Sequence, residues 1–189
     1  MEKLLIASIN ALLLGFLTKL VDLEVDEGLD LRGFSYVLAL LYGLDMIHVM
    51  RSLTELSSMI LGVLTAVIIS GKIDSLSHGI GVGTALAGTF LSVPKIDREA
   101  FFLFLSAALL DEIISDLADR GKFSGKMGKL LRIRPLLELA TLSYSIYVRS
   151  AIFWIFIFVY DLSYQLTSAL IPRQGVQDVQ NRSSGEANN

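Results

Sequence analysis

Long apolar stretches separated by short charged runs dominate the chain. They fall at about 3–21, 34–50, 53–71, 76–93, 100–118 and 135–171, most of them close to the roughly 20 residues an α-helix needs to cross the hydrocarbon core. Inside lipid the backbone has no water to bond, so spanning segments must close their own hydrogen bonds as helices. The pattern predicts an all-α fold, a polytopic integral membrane bundle of six or seven spans. The alternative counts come from 135–171, which Arg149 divides into a short piece, Leu136–Val148, and a full span from Ser150 to Ile171. The short piece would cross with tilt and local thinning, or be re-entrant. The first apolar run follows Met1-Glu2-Lys3 and continues to Leu20 without a cleavage-like small-residue site, so it reads as a retained span. Residues 172–189 are polar and are expected to form a disordered tail behind a membrane domain covering 1–171.

Composition supports lipid as the solvent. Of 189 residues, 53% are hydrophobic and only 19% charged, against about a quarter charged in an ordinary soluble domain. The net charge of −3 and the lack of a basic stripe interleaved with aromatics argue against nucleic acid as a partner. Cysteine is absent, which removes disulfides, thiolate metal sites and a cysteine nucleophile.

The connection 120–134 sets the orientation. It carries Arg120, Lys122, Lys126, Lys129, Arg132 and Arg134 and no acidic residue, so the positive-inside rule makes it cytoplasmic in a multi-pass protein of the cell membrane. Alternation then places the N-terminus outside and the segments 22–33 and 71–75 inside. The fourth segment bears small residues at Gly79, Gly83 and Ala87, with Gly81, Ala85 and Gly88 nearby. This predicts close approach of another helix.

With that topology, three distant charged segments share the inner face. The first span ends in Lys19, Asp22, Glu24, Asp26, Glu27 and Asp30, and Asp22 and Asp26 are one helical turn apart. The third connection holds Lys72, Asp74 and His78, and the fifth span ends in Asp111, Glu112, Asp116 and Asp119. Asp111 and Glu112 lie within an apolar stretch, where an ionised carboxylate costs roughly 2.5–3.5 kcal/mol at the bilayer centre and so needs a partner. Mg²⁺ prefers oxygen ligands and is commonly shared between a few carboxylates and a substrate phosphate. The spacing therefore predicts metal ligands at Asp22, Asp26, Asp111, Glu112, Asp116 and Asp119. Asp74, His78 and Lys72 are the candidate catalytic groups, and Arg132 and Arg134 the candidate contacts to substrate phosphate. Simpler roles stand beside these: a solvated loop at 22–33, helix caps at Asp22 or Asp26, and an interfacial histidine at His78. Asp45, His48, Arg51 and Glu55 form a smaller group toward the outer face, expected to hold a tight hairpin by ion pairs. Asp161 lies between Tyr160 and Tyr164 and would join Arg149 or the inner cluster, depending on the span count.

Aspartate-rich inner helix ends are found in polytopic prenyltransferases and CDP-alcohol phosphotransferases. Asp22 and Asp26 lack the Asn-Asp context of the former, and no stretch shows the residue order of the latter, so no family is assigned. Three function classes follow. The first is a Mg²⁺-dependent enzyme acting on a phosphorylated or isoprenoid membrane lipid at the cytoplasmic face. The second is an ion- or proton-coupled transporter or channel using Asp45, Asp111, Glu112 and Asp161. The third is a non-catalytic scaffold. A second copy of the chain is an admissible partner in each.

Overall fold

The computed structural model describes residues 1–91, 95–119 and 135–171. The expectations for the basic connection 120–134, including Arg132 and Arg134, and for the tail 172–189 lie outside these residues. Among the described residues every regular element is helical: α1 (Glu2–Val25), α2 (Ser35–Ser52), a 3-10 turn (Thr54–Leu56), α3 (Ser57–Ile69), α4 (Leu76–Leu91), α5 (Arg98–Asp119), α6 (Pro135–Tyr147) and α7 (Ile152–Leu170).

Polar ties between helix ends fix the direction of each helix. Lys3 at the start of α1 pairs with Glu55 just ahead of α3, and Glu24 near the other end of α1 accepts the backbone N–H groups of Gly33 and Ser35 at the start of α2. Ser35 and Ser77 join the starts of α2 and α4, while Ser58 accepts the Asp97 N–H and joins the starts of α3 and α5. Asp111, late in α5, meets the first turn of α6, and Tyr144, late in α6, donates to Asp97. Successive helices therefore start from alternate ends of the bundle. α1 packs on α2 and α7, α2 on α4, α3 on α5, and α6 on α5 and α7.

Length sorts the helices. α1 and α7 are each long and apolar enough to cross a membrane, and α2 together with the 3-10 turn and α3 would make one further broken span, bent by 114°. α3, α4 and α6 contain 13, 16 and 13 residues, because caps and turns use residues that an apolar window counts as span. The exterior is nonetheless apolar. Leu5, Ile9, Leu12 and Phe16 are exposed along one side of α1, and Leu162, Leu166 and Leu170 along α7, so these helices carry apolar side chains outward as well as into the core.

The division at Arg149 has a backbone cause. Arg149 sits at φ 55°, the Ser150 N–H bonds the Ser145 carbonyl at 2.9 Å, and the Arg149 N–H bonds that of Ile146 at 3.2 Å. This is the paired C-terminal closure that usually employs glycine at the left-handed position. The small-residue stripe of α4 packs through Gly81, Ala85 and Gly88, all buried, while Gly83 and Ala87 are exposed. A Cβ on Gly81 would collide with the ring of Tyr42 from α2, and one on Gly83 would meet open space. The helix contacts its partner one step around from the expected line.

Candidate functional site

Three sequence-distant segments meet at one end of the bundle, each placed by local backbone chemistry. α3 closes with Gly71 at φ 71°, where the Lys72 N–H bonds the Val67 carbonyl and the Gly71 N–H that of Ile68, both at 3.2 Å. This closure turns the chain sharply and leaves Lys72 at the helix end. Ser75 then starts α4: its Oγ accepts the His78 N–H at 3.2 Å, an N-cap that sets His78 in the first turn. α1 runs on to Val25, so Asp22 and Asp26 are separated by one turn, and the Asp26 N–H bonds the Asp22 carbonyl at 2.8 Å.

Asp22, Asp26 and His78 each offer one ligand atom, and these atoms all lie within 4.8 Å of one another. His78 Nε2 is 3.1 Å from Asp22 Oδ1, and the Tyr164 hydroxyl of α7 donates to Asp22 Oδ2. One oxygen of Asp22 thus faces the imidazole while the other is held from behind. Desolvation, followed by the negative charges of Asp22 and Asp74, pushes the Asp26 carboxyl above its ordinary range. A bound cation would relieve that repulsion. Two carboxylates and one imidazole form a donor set that suits a divalent metal, and its nitrogen extends the choice from Mg²⁺ to Mn²⁺ and Zn²⁺.

Lys72 belongs to a neighbouring group. Its Nζ is 2.6 Å from Asp116 Oδ1 and 3.8 Å from Glu112 Oε2, so the carboxylate pair of α5 surrounds an ammonium. Asp111 is 1% exposed, and its two oxygens accept the N–H groups of Leu136 and Leu137 at 3.0 and 2.6 Å. An anion there satisfies unpaired N–H groups and the positive end of the α6 dipole. The partner that its depth required includes a helix N-terminus. Asp74 is exposed. The side chain of Asp119 lies outside the described residues.

Beside His78 a cavity of about 200 Å³ extends into the bundle between α1, α2, α3, α4 and α7. Leu14, Met59, Leu64, Val82 and Phe156 line it, and Lys72, His78 and Asp161 stand among its polar groups.

Sequence reasoning treated His78 as a catalytic group, and the structure sets it beside Asp22 and Asp26 as a potential ligand. It overlooked Tyr164 and the wall residue Tyr42, which read as ordinary aromatics. Only the four-residue spacing of Tyr160 and Tyr164 around Asp161 hinted at a polar face. At the opposite end Glu55 pairs with Lys3 at 3.1 Å, and His48 and Arg51 are exposed. Among the described residues no ion pair joins Asp45, His48 and Arg51. Asp45 is buried, and its Oδ2 makes no hydrogen bond among the described residues.

No family model matches this chain, and no curated protein or solved structure is significantly similar to it.

Proposed function

We propose that the protein is a metal-dependent enzyme acting on a phosphorylated or isoprenoid lipid at the cytoplasmic face of the cell membrane. The observation that carries this is the meeting of Asp22, Asp26 and His78, with ligand atoms within 4.8 Å, beside an apolar cavity that His78 itself lines. A site for a lipid phosphate needs a cation source for the headgroup and a dry space for the tail, and here the two adjoin. Asp22, Asp26 and His78 would hold the metal, Mg²⁺ or a borderline ion such as Mn²⁺. Bound there, the metal would neutralise phosphate charge and stabilise the leaving oxygen. Tyr164 keeps Asp22 oriented. Lys72, paired with Asp116 and Glu112, stands at the rim of the cavity. Asp111, Glu112, Asp116 and Asp119 remain proposed as a second acidic group flanking the first, and Arg132 and Arg134 as contacts to the substrate phosphate.

The alternating helix starts and the apolar exterior support seven membrane passages, with the short helices crossing under tilt and local thinning. The basic connection 120–134 leaves α5 and enters α6 at the His78 end, so the positive-inside rule supports a cytoplasmic site.

The test uses the full chain in lipid nanodiscs. Calorimetric titration with Mg²⁺, Mn²⁺ and Zn²⁺ is paired with phosphate release from prenyl and alkyl mono- and diphosphates. Metal-dependent release that disappears in Asp22→Asn and His78→Ala supports the proposal. Absence of metal binding by the wild-type chain overturns it. A transporter remains the second proposal, favoured by the buried Asp45 carboxylate in α2. Proton-coupled uptake into proteoliposomes that is lost in Asp45→Asn would support that instead.

A further inference from the structure

We infer that the cavity beside His78 receives one hydrocarbon chain of a lipid phosphate, and that Met46, Met59 and Phe156 at its far end limit the chain length accepted. This rests on the proposed function for the phosphate end only. The remainder comes from the shape and chemistry of the cavity.

The cavity is elongated. Its lining residues on α3 run from Met59 to Val67, two helical turns or about 12 Å at 1.5 Å per residue. A hydrocarbon chain laid along it would reach from the Lys72 end to Met59.

The wall is apolar in function as well as in composition. The hydroxyls of Thr18 and Tyr42, both lining residues, donate to the Leu14 and His78 carbonyls at 2.8 and 3.3 Å. The single donor hydrogen of each is therefore engaged by the protein. Among the charged lining groups, Lys72 and His78 stand at the end nearest Asp22 and Asp26. The lining residues furthest from Lys72 along the chain directions are Met46, Met59 and Phe156, two of them flexible thioethers that adapt to a chain terminus. Once a cation is held by Asp22, Asp26 and His78, a molecule with an anionic head and an apolar tail would match that polarity from end to end.

The test is photolabelling of the full chain in nanodiscs, using dodecyl phosphate with a diazirine at its terminal carbon. Label should map to peptides carrying Met46, Met59 or Phe156. Val63→Trp, which plugs the middle of the cavity, should lower that labelling about tenfold and leave calorimetric Mn²⁺ binding unchanged. Met59→Ala should lengthen the preferred chain in competition with octyl, dodecyl, hexadecyl and prenyl phosphates, which keeps the inference testable if the tryptophan variant does not fold. Label confined to outward residues such as Leu12 or Phe158 overturns the inference. Cavity labelling without metal-dependent turnover of any lipid phosphate overturns the proposed enzyme and leaves the chain site standing. Metal-dependent turnover with label outside the cavity does the reverse.

Discussion

The two ends of the bundle hold similar residue types and use them differently. At the end opposite His78, an open pocket of about 590 Å³ is lined by Glu55, Lys95, Asp97 and Tyr144. It is the larger of the two spaces, yet its polar groups serve the fold. Asp97 Oδ1 accepts the N–H groups of Glu99 and Ala100 at 3.0 and 3.3 Å, capping α5, while Oδ2 accepts from Tyr144 at 3.4 Å. At the His78 end, Asp22 and Asp26 turn toward a common point with an imidazole, and burial together with the charge of Asp22 pushes the Asp26 carboxyl up. Like charges brought together against repulsion indicate a functional site more reliably than pocket size does.

The sharpest way to break this contrast is to remove a carboxylate that the fold does need. Asp111→Ala leaves the first turn of α6 without its buried anion and should destabilise the protein by about 3 kcal/mol. The equivalent cut at the exposed cap, Asp97→Ala, should cost about 1 kcal/mol. Chemical denaturation in a single detergent would rank the two. Comparable losses would mean that burial adds nothing to the Asp111 cap.

Next comes metal affinity. Asp22→Asn should weaken Mn²⁺ binding by about 100-fold with little change in melting temperature, and Tyr164→Phe should weaken it by about tenfold, since a group that orients a ligand typically contributes 10–100-fold. Calorimetry reads both. A fall in stability without a fall in affinity would assign Tyr164 to packing alone.

A smaller effect follows from pH. Because the Asp26 carboxyl titrates above its ordinary range, lowering pH through that raised range protonates it. Metal affinity should therefore fall as pH falls, while the metal-free protein gains stability, the folded state binding the proton more tightly than the unfolded chain. Melting curves with and without Mn²⁺ should converge toward acid pH. Parallel curves would show that Asp26 does not face the ion. The smallest effect belongs to the exposed pair at the other end: Lys3→Ala, which breaks the contact to Glu55, should change stability by no more than about 1 kcal/mol.

Much of the helical layout was legible. The apolar windows at 3–21, 34–50, 76–93 and 100–118 correspond to α1, α2, α4 and α5, and the break at Arg149 separates α6 from α7. The window at 53–71 hid a 3-10 turn and a helix of only 13 residues, since hydropathy averages across a bend. At the site, the one-turn spacing of Asp22 and Asp26 was visible, and the depth of Asp111 correctly implied a partner. Its nature was not visible, because the bonded N–H groups lie 25 and 26 residues further along. Pro135, suited to the first position of a helix, was the clue that an N-terminus stood there. Glu24 posed the same difficulty: within an acidic run nothing singles out the one carboxylate that reaches Gly33 and Ser35.

The contact between Tyr42 and Gly81 couples two properties that are usually tuned separately. The phenol ring rests where a side chain on Gly81 would have to sit, and the same ring lines the cavity. Even a methyl group at position 81 would either pry α2 from α4 or swing the ring inward and narrow the bore. Ligand selectivity and helix spacing here share one hinge, so neither can be adjusted while the other stays fixed.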